Sequence, residues 1–308
     1  MTGFIYHQAY LQHNPGWGHP ESPDRLKAIK QAYDNLNRRD KTILHTPRPA
    51  TEDEITAVHT GEYFREMGAV CLTGGYHRGM ESELDSASWD AALFAAGGGI
   101  EASEKVLSGE WSNAFCALRP PGHHATPNLA MGFCLFNNIA AAAAQLLKKG
   151  AGKVLIVDWD VHHGNGTQEI FYSSDEVFYY STHQRSLYPY GSGDENQTGA
   201  GKGEGFTLNR PIEPGAPADE YLRLFHQDLN TIEGRFQPEI ALISCGFDVC
   251  KGDTLGRLNL SGVHLAEMTQ AVSRLAGGKI VSFLEGGYNL NSIVDGFIGH
   301  FQALIDLS

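Results

Sequence analysis

Five short apolar runs, each followed at once by a cluster of histidine, aspartate, glycine or tyrosine, constrain this chain more than any other feature. The runs are Asn113–Leu118, Lys153–Val157, Val177–Ser181, Ile240–Ser244 and Lys279–Leu284. They show no polar alternation, which is the pattern of strands buried on both faces. Helical stretches fall between them. Ser88–Leu107 is Ala-rich and is closed by Gly109; another segment is capped by Asn137 or Asn138 and runs to Lys149 and Gly150; Tyr221–Ile232 and Val263–Leu275 complete the set. Such alternation predicts an α/β fold with a mainly parallel sheet. No internal repeat or Pro/Ser-rich linker divides the 308 residues, so one domain is expected.

The polar clusters are RPPGHH, DWDVHH, THQ, CGFD and EGGY, in strand order. In open α/β sheets, functional groups gather beyond the carboxyl ends of the strands. Five clusters in this phase should therefore meet in one crevice.

Composition narrows the partners. A net charge of −13 repels phosphate backbones, so direct nucleic-acid binding is not expected, whereas cationic peptides and amines are attracted. The five cysteines (Cys71, Cys116, Cys134, Cys245, Cys250) are odd in number and show no CxxC spacing. They suggest neither a disulfide framework nor a zinc finger, and they fit a reducing compartment. The N-terminal MTGFIYHQAY has no basic segment leading into an apolar run, and no stretch approaches a bilayer span. A cytoplasmic location is the expectation.

Asp160-Val161-His162 places a carboxylate and an imidazole two residues apart, pointing the same way in extended chain, where they can share a metal. A lone DxH is a weak signal; its bland reading is a polar turn. Asp248, at another strand end, can add a third ligand, although alone it would read as a cap. An Asp/His/Asp set leaves zinc an open position, the catalytic arrangement. Iron or cobalt would also suit these ligands. With three ligands assigned, His123 and His124 read as general base and acid. Asp158 and Asn165 are placed to orient their rings. Tyr288 can donate to a forming oxyanion, and a packed core tyrosine is the competing reading. Phe133 and Tyr188 can wall a narrow channel. The run Gly199–Gly205 (GAGKGEG) matches no phosphate-loop pattern and reads as a flexible surface loop. No GxSxG elbow is present, which disfavours a serine hydrolase.

Together these motifs resemble the histone deacetylase family, and more closely its class II branch and the bacterial histone deacetylase-like amidohydrolases. The resemblance spans nearly the whole chain, through HPESPDRL (His19–Leu26), Val58-His59-Thr60, RPPGHHA (Arg119–Ala125), GFCLFNN (Gly132–Asn138), DWDVHHGNGTQ (Asp158–Gln168), GFDVCKGDTLG (Gly246–Gly256) and LEGGYNL (Leu284–Leu290). It implies an arginase–deacetylase fold, a single α/β domain with an eight-stranded, mainly parallel sheet. It implies one zinc on Asp160, His162 and Asp248. It implies His124 as principal base and acid with Asn165 behind it, and His123 in support with Asp158 behind it. Tyr288 would polarise the carbonyl, and Gly132, Phe133, Tyr188 and Leu255 would line the substrate channel. Family members also hold potassium through backbone oxygens, which would fall on Asp158, Asp160, His162, Ser181 and Thr182.

Two departures refine the expectation. Arginases need further carboxylates for a second metal, and those places hold Gly164 and Cys250. Polyamine-specific relatives carry a gatekeeping glutamate where this chain has Leu255. The expected reaction is therefore hydrolysis of N6-acetyl-lysine in a protein or peptide. An acetylpolyamine or other small acylated amine is the alternative substrate, and a catalytically silent binding protein is the third reading. Asp253, Glu83 and Asp85 are candidate rim acids, Asp85 as a contact for peptide backbone. Oligomeric state is left open.

Overall fold

The computed structural model describes every residue except Glu81. Eight strands form one sheet: β1 (Thr2–Ile5), β2 (Thr42–His45), β3 (Asn113–Cys116), β4 (Val154–Asp158), β5 (Val177–Gln184), β6 (Thr207–Ile212), β7 (Ile240–Cys245) and β8 (Ile280–Leu284). Their spatial order is β2-β1-β3-β8-β7-β4-β5-β6, and every pairing is parallel. The five expected strands are the five at the centre of this order. Their bounds differ slightly. THQ does not follow β5 but forms its last three residues, and Ala117 and Leu118 lie beyond β3.

Adjacent residues of a strand face opposite sides, and β1 shows what covers each. Phe4 stacks on Tyr33 at 3.9 Å and meets Phe297 and Phe301 edge-on, so helices 23–34 and 290–306 lie on its side. Ile5 faces the helix Ser86–Leu107, where a Cβ on Gly98 would press on its side chain. Gly97, Gly98 and Gly99 each cost this helix roughly 1 kcal/mol of propensity relative to alanine. Side chains there would run into Pro49, Ile5 and Phe283, so the glycines let the helix lie close to the sheet. The capped helix begins at Asn137, whose Oδ1 accepts from the Ala140 N–H.

Two expectations need correction. Asp85 is the N-cap of the helix 86–107, accepting from the Ser88 N–H at 2.8 Å. The glycine run 199–205 is a compact turn rather than a loose loop. Gly205 and Thr207 both donate to the Thr198 carbonyl, and Ala200 donates to that of Tyr172. No helix among the described residues is long and apolar enough to cross a membrane.

Candidate active site

The polar segments after β3, β8, β7, β4 and β5 come together beyond five neighbouring strand ends. Asp160, His162 and Asp248 bring one ligand atom each within 4.8 Å of one another, all buried. Backbone amides fix the carboxylates. Asp160 Oδ2 accepts from the Gly286 N–H at 2.7 Å, and Asp248 Oδ1 accepts from the Val161 N–H at 2.9 Å. A side chain on Gly286 would collide with both carboxylates, which explains the first glycine of EGGY. Asp248 Oδ2 is fully buried and accepts no well-formed hydrogen bond; its neighbour is His162 Nδ1, at 3.3 Å.

The electrostatics are those of a site built around a cation. Burial and the neighbouring Asp160 push the Asp248 carboxyl up to about 7. Burial would lower His162, but its bonds to Asp160 and Asp248 outweigh this and carry it to about 9. Two buried carboxylates converging on one imidazole are costly without a positive charge among them. The donor set of two carboxylates and one imidazole suits a divalent ion with an open position. Among the described residues no other group of three ligating side chains converges. At Gly164 a Cβ would strike Asp158 and Tyr179, so a second carboxylate does not fit there, and Cys250 is a buried free thiol.

The histidine pair lies beside the triad, with ring centroids 4.0 Å apart. His123 Nδ1 is 3.0 Å from Asp158 Oδ2, and His124 Nδ1 is 2.9 Å from Asn165 Oδ1. Asn165 Nδ2 is spent on the His124 carbonyl and Met131 Sδ. Its oxygen therefore faces the ring, which puts the proton on His124 Nδ1 and leaves Nε2 as the base. The two rings have opposite electrostatics. Burial opposes charge on His123, but Asp158, Asp160 and Glu285 raise it to about 10. Burial, then His123 and His162, hold His124 well below the usual histidine range.

A cleft of about 820 Å³ opens onto these groups. Gly132, Phe133, Tyr188, Leu255 and Tyr288, all expected there, line it together with His124 and His162. Tyr188 lies edge-on to His124 at 5.2 Å, and Phe133 to Tyr288 at 6.2 Å. Phe133 and Gly132 both have positive φ, 68° and 57°. Gly132 is required because a Cβ would overlap the His124 ring, and the strained turn aims the Phe133 ring into the cleft. Burial raises the Tyr288 phenol well above its usual range, so it stays a donor.

The three candidate rim acids line no part of the cleft. Besides the Asp85 cap, Glu83 accepts from the Tyr76 hydroxyl. Asp253 ties its loop to the tyrosine, accepting from the backbone N–H of Tyr288, Asn289 and Leu255.

Other site residues, several of them within the motifs, receive no role from the sequence alone. Glu285 is fully buried and accepts from the backbone N–H of Gly122 and His123 and from the Ser244 hydroxyl, so it fixes the histidine turn. Its signal was a charged residue directly after a fully buried strand. Tyr179 donates to Asp158. Glu21, Arg25 and Arg119 form a buried cluster under the site. Arg119 forks onto Glu21 at 2.5 and 2.7 Å, and Arg25 pairs with it at 2.8 Å. Arg25 also donates to the carbonyls of Glu285 and Gly287, the backbone that leads into Tyr288.

Burial pushes the Glu21 carboxyl up, but Arg119 and then Arg25 hold it down at about 2, below its ordinary 4.5. Its contribution to stability is thus complete above pH 4.5 and is lost as pH falls towards 2. Glu21→Gln is expected to cost about 3 kcal/mol or more, because it leaves two buried guanidinium groups without their anion. A urea midpoint unchanged at pH 7 would show that the cluster is dispensable.

A parallel sheet that brings two oriented histidines beside an Asp/His/Asp triad is a scaffold that can join a metal site to acid–base groups. The chain belongs to the histone deacetylase family: the family's Histone deacetylase domain matches residues 19–304. It is 38% identical over 296 residues to a "Probable deacetylase" of Archaeoglobus fulgidus, covering 94% of this chain and 82% of that one. It is 37% identical to a "Histone deacetylase-like amidohydrolase" of Pseudomonas aeruginosa, covering 88% of this chain and 73% of the relative. Against Histone deacetylase 5 of Arabidopsis thaliana the identity is 37%, and the match spans 49% of that longer protein. The crystal structure of the HDA15 HD domain superposes with a TM-score of 0.92 at 36% identity, covering 98% of this chain and 90% of that one.

Proposed function

We propose that the protein is a zinc-dependent deacetylase that hydrolyses N6-acetyl-lysine in a protein or peptide to lysine and acetate. The observation that carries this reading is the convergence of the buried Asp160, His162 and Asp248 at a cleft also lined by His124 and Tyr288. Asp160, His162 and Asp248 would hold the zinc. When bound, zinc polarises the amide carbonyl and makes water more acidic. The remaining chemistry belongs to the chain. Tyr288 donates its hydroxyl proton to the carbonyl oxygen as charge develops there. His124, neutral and oriented by Asn165, takes the proton of the attacking water at Nε2. The same ring, now cationic, returns a proton to the departing amine. His123, charged against Asp158, supports the negative charge of the transition state. The backbone oxygens of Asp158, Asp160, His162, Ser181 and Thr182 would hold potassium; Asp158 and Ser181 are register partners across β4 and β5.

Leu255 in the cleft wall favours the lysine substrate, since a neutral side chain cannot attract a second ammonium group. A small acetylated amine such as an acetylpolyamine is the alternative. The test is acetate release by zinc-loaded enzyme from an acetyl-lysine peptide and an acetylated diamine side by side. Faster peptide turnover supports the proposal. Faster diamine turnover transfers the function to small amines, and turnover of neither favours a silent binding protein. The five cysteines are all buried and unpaired, which supports a cytoplasmic setting.

Asn165 offers a direct check on His124. A carboxylate at this distance raises an imidazole by about 1 unit or more. If His124 acts as the neutral base, its working form is lost below its pKa. Asn165→Asp should therefore move the acidic limb of the kcat/KM profile to higher pH by about 1 unit. A limb that stays in place would remove His124 from that role.

A further inference from the structure

Two large aromatic residues that the fold does not use lie on the cleft lining or two residues from it in the chain. Trp17 is fully exposed, at 103%, and Tyr190, which lines the cleft, is 81% exposed. Burying an indole or phenol is among the larger apolar gains available to a chain, yet neither ring is packed away. Trp17 is placed by design of the backbone. His19 N–H bonds the Gly16 carbonyl, and Gly18 has φ +74°, so Gly16–His19 is a turn of type II with the indole at its corner. His19, the last residue of that turn, lines the cleft and packs against Phe133 at 4.6 Å. Two residues of chain span at most about 7 Å, so the Trp17 backbone lies within that distance of His19, although its indole is not among the groups that line the cleft. Tyr190 follows Tyr188 of the channel wall by two residues.

We propose that Trp17 and Tyr190 are specificity-determining residues that hold a basic polypeptide on either side of its acylated lysine. This rests on the deacetylase reading above. The cleft, about 820 Å³, is of a size that encloses a drug-like molecule. An acetylated aminoalkyl chain fills only the inner part, between Phe133 and Tyr188, and leaves the outer aromatics uncovered. A polypeptide covers them. Its cationic side chains suit both the aromatic faces and a protein of net charge −13. Exposed Trp and Tyr at a binding mouth are the residue types that dominate binding energy once desolvated.

The test compares wild type, Trp17→Ala and Tyr190→Ala on three substrates: an acetyl-lysine peptide flanked by arginines, the same peptide flanked by alanines, and an acetylated diamine. The expected result for each variant is a loss of about 10-fold in kcat/KM on the arginine peptide, carried by KM, from one to two kcal/mol of lost aromatic contact. The ratio of arginine peptide to diamine falls accordingly. A ratio equal to that of wild type overturns the proposal. Binding is read separately from the quenching of Trp17 fluorescence, taken as the difference between wild type and Trp17→Phe. Quenching by the arginine peptide in an enzyme that hydrolyses nothing would keep this mouth assignment and defeat the deacetylase reading. Quenching on concentrating the protein alone would make the occupant a second copy of the chain and overturn the proposal.

Discussion

Asp248→Asn is expected to abolish zinc retention and to stabilise the metal-free protein at the same time. The two effects have one cause. The asparagine keeps the oxygen that accepts from the Val161 N–H, so the turn after β7 keeps its anchor. What it loses is a buried negative charge whose other oxygen, Oδ2, accepts no well-formed hydrogen bond and meets His162 Nδ1, at 3.3 Å. Burial and Asp160 already push this carboxyl up to about 7. A group whose folded pKa lies above its unfolded one is destabilising once it ionises. Metal-free wild type should therefore lose stability as pH rises from about 4 towards 7. The variant should lack this decline and melt several degrees higher at neutral pH, at roughly 2–4 °C per kcal/mol for a chain of this size. Zinc should raise the Tm of wild type by linkage and leave the variant unmoved. Deacylation should fall by about 10³-fold or more, the equivalent of several kcal/mol of lost Lewis-acid stabilisation. Thermal melts with and without zinc, with metal content after dialysis, measure all of this. A variant that retains zinc, or melts below the metal-free wild type, would mean that Asp248 is a packing residue.

Much of this site could be read from the chain, and the reason is geometric. Asp160, His162, Asp248, His123 and His124 each lie just past a buried apolar run, so strand periodicity alone places them at one edge of a parallel sheet. The dyads were legible because Asp158 ends β4 and Asn165 lies in the segment that follows it. The outer strands were not. β1 and β2 are four residues each and, unlike the equally short β3 with RPPGHH beyond it, lead into no polar cluster of that kind, and β6 contains Pro211, which an edge strand tolerates but which breaks a strand signal. The helix 290–306 is a different case. Ile293, Phe297, Phe301 and Leu304 carry helical spacing, and its signal was eclipsed by the EGGY motif before it. Glu21, Arg25 and Arg119 were hidden for a further reason. Their partners lie as far as 262 residues away in the chain, and no local rule predicts that charged side chains will be buried together. The candidate rim acids are absent from the cleft lining, and Asp85 and Asp253 meet local backbone needs, a cap and a loop tie, that no ligand-directed reading of the sequence weighs.

Tyr288→Phe is expected to reduce kcat by about 10²-fold or more while zinc stays bound. The phenyl ring can keep what the structure shows the tyrosine ring doing. It would still lie edge-on to Phe133 and beneath the Arg25 guanidinium, 5.1 Å from the ring centre. The backbone would still be held by Asp253. Only the hydroxyl is removed, a donor that burial keeps protonated well beyond neutral pH. Because charge on the carbonyl oxygen grows towards the transition state, the loss should appear in kcat more than in KM. None of the three proposed ligands bonds to that hydroxyl, so metal content per chain should match wild type. Zinc loss would instead make Tyr288 a structural support of the triad. A loss confined to KM would make it a substrate-packing residue, and the polarising role would have to pass to another donor in the cleft.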